Sequence, residues 1–266
     1  MTKDMTMLIL SCGKFSDLWD GHVKLLEENW SDRDMETFIV TDAPSMKDYP
    51  NVKILSAGTE AEWTERLAFA LQCVKTRYVF ITLDDYFLIK RVNDRAISDL
   101  LEMMEKEGID YIRLFPRPKR ATLSRLNGYK GIRQINISCT YSVNLYPGLW
   151  KKPFLESTVR KPLNVWKYEV SLFRRAMEFG ANCVLSQRNE FQTLDVVRKG
   201  KLLRRSARYF RKHPGIYEGD REVNTWRYEL MLMLQQQVSR HMPRLLKDRI
   251  KSFMRRRGHH YFSDDI

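Results

Sequence analysis

The chain has 266 residues, 43% of them apolar, and a formal net charge of +13. That length suits one sizeable α/β domain with an appended segment and is too short for two large domains. No apolar run approaches the roughly 18 residues a membrane span needs, and Met1-Thr2-Lys3-Asp4 enters a strand-like run with no small-residue cleavage site, so the chain is expected in the cytoplasm.

Met7 to Cys12 is a continuous apolar run closed by Gly13, the pattern of a buried first strand. Ser16 then reads as an N-cap, with Leu18, Trp19, His22, Leu25, Leu26 and Trp30 at helical spacing. His22 falls among these apolar positions and is expected as a satisfied core histidine. Thr37 to Asp42 and Val52 to Leu55 predict a second and third strand. Thr59-Glu60-Ala61-Glu62 fits a capping box opening a helix to about Val74. Tyr78 to Leu83 is a fourth strand, stopped by Asp84-Asp85. A helix over 93–106 and a strand over 110–115 follow. Strands alternating with helices predict a mainly parallel sheet flanked by helices, and ligands of such sheets bind beyond the carboxyl ends of the strands. Ser11, Cys12, Asp42, Asp84 and Asp85 all stand at such ends.

From 117 to 162 the pattern loosens into irregular, partly antiparallel structure. A helix is predicted over 165–179, with Trp166, Val170, Phe173 and Met177 on its apolar face. Cys12, Cys73, Cys139 and Cys183 are far apart with no C-x-x-C pair, so reduced thiols buried as small hydrophobes are expected. From Arg198 to the C-terminus there are 18 basic and seven acidic residues, nearly the whole charge excess. We therefore divide the chain into a catalytic domain over 1–200 and a basic helical appendix over 201–266. The appendix holds one helix over 225–238. A second, after Pro243, carries Leu245, Leu246, Ile250, Phe253 and Met254 as an apolar stripe among arginines and lysines, the pattern of an interfacial helix that could meet an anionic membrane.

Two adjacent carboxylates repel each other unless a cation or a strong set of donors holds them. Hard oxygen ligands of this kind suit Mg2+ or Mn2+. The dipeptide alone is equally at home in a solvated turn. Its surroundings carry more. Tyr-Val-Phe-Ile-Thr-Leu-Asp-Asp-Tyr-Phe-Leu, residues 78–88, resembles the strand and DxD-type motif of GT-A glycosyltransferases, a group that includes bacterial capsule, exopolysaccharide and lipopolysaccharide sugar transferases. Residues 8–12, the helix segment Trp63 to Leu71, the stretch Leu145 to Leu155 with Asn164 to Glu169, and Arg198 to Leu202 fall in the order that family shows. The second acid follows the first directly, which departs from a strict D-x-D spelling.

The resemblance implies a GT-A fold and transfer of a sugar from a nucleotide-linked donor, typically UDP-linked, to a surface glycan or lipid-linked acceptor at the inner face of the membrane. It implies that Asp85 binds the metal and that Asp84 faces the ribose or a metal-bound water. Ser11, Cys12 and Asp42 would line the nucleoside pocket, and Arg66 would reach the diphosphate or base. Glu169 would be the general base of an inverting transfer, with Trp150 and Trp166 on the acceptor side. Two rivals are a nucleotidyltransferase, for which residues 11–15 lack the glycine-rich loop, and a basic nucleic-acid-binding protein, which leaves the acidic pair unexplained; nucleic acid is not an expected partner. No Walker A or dinucleotide-binding glycine motif is present.

Overall fold

The computed structural model describes residues 2–115, 121–241, 252, 253 and 256. A nine-stranded sheet organises it, in the order β3-β2-β1-β4-β9-β6-β10-β8-β7. The strands are β1 (Met5–Leu10), β2 (Thr37–Thr41), β3 (Lys53–Ser56), β4 (Tyr78–Leu83), β6 (Tyr111–Arg113), β7 (Thr122–Arg125), β8 (Ile132–Ile135), β9 (Gly148–Lys151) and β10 (Cys183–Ser186). The block β3-β2-β1-β4 is wholly parallel. β9 then runs antiparallel between β4 and β6, and β8 antiparallel between β10 and β7. All strands but β9 and β8 point the same way, so the expected α/β architecture is realised.

Helices cover both faces, which is why β1 reads as unbroken apolar sequence. Met5, Met7 and Ile9 face α1 (Trp19–Asn29) and α3 (Asp94–Lys106), packing in one core with Trp19, Trp30, Leu101 and Met104. Leu8 and Leu10 point the other way, into a second core with Leu67 and Leu71 of α2 (Trp63–Cys73), Phe154 of α4 (Lys152–Thr158) and Leu172 of α5 (Val165–Phe179). Each fully buried side chain of this size contributes about 1.5–3 kcal/mol.

Local signals held with shifts that have physical causes. α1 is preceded by a 3-10 turn over Gly13–Leu18, so Ser16 lies inside that turn and caps nothing. The capping box of α2 is Glu62 with Glu65, three residues later than the expected Thr59–Glu62, because the helix begins at Trp63. α5 has the predicted span, with Asn164 capping Lys167 N and Gly180 at φ 69° ending it. Its buried residues include Tyr168, Leu172 and Ala176 as well as the expected Val170, while Trp166 and Met177 are exposed; the Trp63 ring packs 4.9 Å from Tyr168. All four cysteines are free, and only Cys183 is fully buried; Cys12, Cys73 and Cys139 keep partial exposure.

The segment after residue 200 does not begin as an appendix. Leu202, Phe210 and Ile216 form a third core with Leu18, Leu25, Phe87 and Leu194. Gly21 of α1 lies so close that a Cβ there would sit 1.8 Å from the Ile216 carbonyl oxygen. β12 (Val197–Arg198) and β13 (Lys201–Leu202) form a tight hairpin, turned by Lys199 and Gly200, both at positive φ as a primed two-residue turn requires. α6 (Arg204–Lys212) follows, and the packed body continues to Asn224. α7 (Trp226–His241) follows, and it matches the expected helix over 225–238. The expected interfacial helix after Pro243 lies outside the described residues apart from positions 252, 253 and 256.

Candidate active site

One wall of the site is built at the carboxyl ends of the parallel strands. Ser11 follows β1, and its hydroxyl bonds the Asp84 carboxylate while accepting from Trp19 Nε1 at 2.7 Å. Asp42, after β2, accepts the Gly13 N–H at 2.7 Å and the Thr41 hydroxyl at 3.2 Å. Burial pushes the Asp42 carboxyl upward, but the Gly13 bond and the Arg66 charge outweigh it and hold it below the usual range. Arg66 of α2 donates to the Ser11 carbonyl at 2.8 Å and lies 3.6 Å from Asp42. The structure thus brings together Ser11, Cys12, Asp42 and Arg66, as expected. It also engages the guanidinium with Ser11 and Asp42, where the resemblance had it reaching the diphosphate or base. Burial and the nearby Asp84 and Asp42 charges raise the Cys12 thiol, so it stays neutral at physiological pH.

The acidic pair sits between β4 and β5 (Tyr86–Leu88). Asp84 is buried; its N–H reaches the Leu10 carbonyl at 3.3 Å, and its own carbonyl meets His22 Nδ1 at 3.1 Å. His22 is the enclosed, bonded histidine the helix pattern predicted. Asp85 is half-buried, and its Oδ1 is enclosed with no hydrogen-bond partner. Desolvation, then the charges of Asp84 and Asp195, push the Asp85 carboxyl well above the carboxylate range. Desolvation also raises Asp84, against the Ser11 bond and the Arg221 charge.

Asp195 was not visible in the sequence. It lies in β11 (Thr193–Asp195), which pairs antiparallel with β5 so that Asp195 faces Tyr86 across the ladder. Val196 N–H closes the junction onto the Asp85 carbonyl at 2.9 Å. Burial raises the Asp195 carboxyl, opposed by Arg198, whose guanidinium bonds it at 3.1 Å. No sequence signal links a three-residue strand at 193 to one at 86.

Glu169 of α5 forms the other side. It is half-buried, and desolvation raises its carboxyl against a bond from the Leu145 backbone. Its charge is felt by Tyr86, Tyr141 and Tyr146, and Tyr86 also feels Asp85 and Asp195. Tyr86 and Tyr146 are in ring contact at 5.8 Å, and Phe115 stacks on Tyr146 at 4.4 Å. Tyr141 holds φ 63°, a conformation that costs energy for a bulky residue and recurs at functional sites.

The two tryptophans expected on the acceptor side separate. Trp166 is 59% exposed on α5. Trp150 is fully enclosed between Tyr111 and Phe154, because β9 is an interior strand of the sheet; it touches no cleft. Among the described residues no three His, Cys, Asp or Glu side chains converge as a ready metal cage. The unpartnered Asp85 oxygen beside Asp84 fits a hard cation only if other oxygens, such as phosphates of a substrate, complete the shell. No helix of the described residues is long and apolar enough to cross a membrane.

No protein-family model matches the chain, and no curated protein matches it. Solved structures do. S. aureus TarS residues 1–349, in complex with UDP-GlcNAc, aligns over 74% of this chain and 60% of its own, with a TM-score of 0.51 and 11% identity. The mannosyltransferase PcManGT from Pyrobaculum calidifontis, in complex with GDP-Man and Mn2+, aligns over 74% and 58%, with a TM-score of 0.49 and 13% identity. The bifunctional IspDF from Campylobacter jejuni aligns over 72% and 52%, with a TM-score of 0.43 and 14% identity. The chain spans between 52% and 60% of the length of these three structures. In fold, this chain is similar to TarS, an α/β sheet of the GT-A kind with helices on both faces.

Proposed function

We propose that the chain is a glycosyltransferase that moves a sugar from a nucleotide-linked donor to an acceptor hydroxyl, with inversion. The observation that carries this is the adjacent pair of desolvated carboxylates, Asp84 and Asp85, at the carboxyl end of β4, with the charge of Asp195 acting on Asp85 and one Asp85 oxygen left without a partner. Holding such charges together is costly unless a cationic ligand arrives with the substrate. The wall of Ser11, Cys12, Asp42 and Arg66 would receive the nucleoside, with Arg66 held by the Ser11 carbonyl and Asp42. Asp85, seconded by Asp84, would hold Mg2+ or Mn2+, whose chemistry is to neutralise the diphosphate as it leaves. Arg198, fixed by Asp195, adds a cation on that side.

Glu169 would act as the base. Its raised carboxyl is a stronger proton acceptor than a solvated glutamate. It would take the proton of the acceptor hydroxyl as that oxygen bonds to the anomeric carbon. The bond from that carbon to the phosphate oxygen breaks, and the nucleoside diphosphate departs with the electron pair. Exposed Trp166 would offer its ring to the acceptor sugar. A surface glycan or a lipid-linked sugar is the acceptor class we propose, and UDP the carrier.

Thermal-shift titration with UDP- and GDP-sugars, with and without Mn2+, tests this reading, followed by a transfer assay. Donor binding raises the melting temperature in a Mn2+-dependent way, and Asp85→Ala loses the Mn2+-dependent part. Glu169→Gln keeps the donor shift and loses transfer by about 10²–10⁴-fold. Full-rate transfer by Asp85→Ala, or no shift with any nucleotide sugar, sinks the proposal.

A further inference from the structure

Between Lys199 and Lys212 the sequence has seven basic residues and no acid. The helix formed there, α6, sorts them. Ser206 and Phe210 are buried, Phe210 in the third core and Ser206 Oγ on the Asp195 carbonyl at 2.7 Å. Arg204, Arg205, Arg208, Arg211 and Lys212 fall at i, i+1, i+4, i+7 and i+8, all exposed on the opposite face. None of the five side chains forms an ion pair with a described acid. Arg211 and Lys212 sit in the last turn, where the helix dipole favours cations.

α7 adjoins this helix. Glu229 Oε1 accepts the Arg204 N–H at 2.7 Å, and Lys199 lies 5.8 Å from the Tyr228 ring. α7 exposes Trp226, Leu230, Met233 and Leu234 at 56%, 40%, 58% and 56%, spaced i, i+4, i+7 and i+8 on one stripe. A cationic face without counter-ions thus adjoins an apolar stripe that includes a tryptophan.

We propose that α6 and α7 together dock this protein on an anionic lipid bilayer. Arginines and lysines are attracted to anionic headgroups, and tryptophan with aliphatic neighbours enters the boundary beneath them. A nucleic acid would use the cations and leave the apolar stripe in water. A second copy meeting through α6 would set like charges against each other. The inference is independent of the proposed reaction. It also bears on geometry: α6 holds Asp195 from behind, so the helix that meets lipid also supports the acidic site.

The test is flotation of the full-length chain with vesicles of phosphatidylcholine, with and without phosphatidylglycerol. The wild type floats only when phosphatidylglycerol is present. Arg205→Glu with Arg208→Glu and Arg211→Glu lowers the partition coefficient by about 100-fold or more, from about five-fold per charge removed. The milder Arg→Gln triple follows the same direction, and unchanged melting temperatures show that both triples are folded. Trp226→Ser with Leu230→Ser and Leu234→Ser lowers partition by about tenfold or more. Three results overturn the proposal: a wild type that stays unbound, an arginine triple that floats like wild type, or a serine triple that floats fully while a short DNA duplex strips the protein from the vesicles. The last assigns the face to nucleic acid.

Discussion

The two walls of the cleft treat charge in opposite ways. On the parallel side, Asp42 accepts from Gly13 and pairs with Arg66, which donates to the Ser11 carbonyl, and Asp42 is held below the normal carboxylate range, although Arg66 Nε has no partner. On the far side, Asp85, Asp195 and Glu169 are all raised by desolvation, and Asp85 keeps an oxygen with no partner. A wall whose acid is paired with a cation and bonded by a backbone N–H is charge-compensated before any ligand arrives. A wall of under-compensated carboxylates is unstable until something positive or protic binds, which is the general form of an active site.

The seam between the walls gives the largest expected effect. β9 pairs with both β4 and β6, and Trp150 is its enclosed ring. Trp150→Ala should cost about 3–5 kcal/mol in urea unfolding, whereas Trp166→Ala should stay within about 0.5 kcal/mol. Equal costs would show that the buried and exposed aromatics of this side have been misassigned. Next come variants of opposite sign. Arg66→Ala should destabilise by about 2–3 kcal/mol, since it strips charged bonds from Ser11 and Asp42. Asp85→Asn should stabilise the unliganded protein by about 1 kcal/mol, by relieving repulsion from Asp84 and Asp195. If both destabilise alike, the contrast between the walls fails.

A further effect is a pH dependence behind the parallel wall. Burial lowers His22 from 6.5 to about 4. The folded state therefore refuses a proton that the unfolded chain accepts, and the stability held above pH 6.5 drains as pH falls toward 4. Between pH 7 and pH 5 this amounts to about 2 kcal/mol. His22→Gln, which can still bond the Asp84 carbonyl, should lose less stability over that interval by this amount. Parallel unfolding curves for the two proteins would rule out a buried neutral imidazole.

Much of the parallel half was legible because its signals are local. An apolar strand ending in an acid, followed by an amphipathic helix, placed Ser11, Cys12, Asp42, Asp84 and Asp85 at strand ends without reference to distant residues. Helix α5 was readable for the same reason, over 165–179, although periodicity grouped exposed Trp166 and Met177 on one face with buried Val170. The inner face depends on which ring packs against the helix, and Trp63 lies a hundred residues away in the chain. β9 escaped notice because an interior antiparallel strand of four residues looks like loop until its two neighbours are known.

The sequence by itself therefore determined the layered α/β frame and the position of the acidic pair, because hydrophobic period and capping act over a few residues. Only the tertiary structure decided that Asp195 joins Asp85, that Trp150 is core, and that residues 201–224 belong to the body. Each depends on a pairing between distant segments, such as β5 with β11 or Ile216 against Gly21, and no local pattern encodes such a pairing.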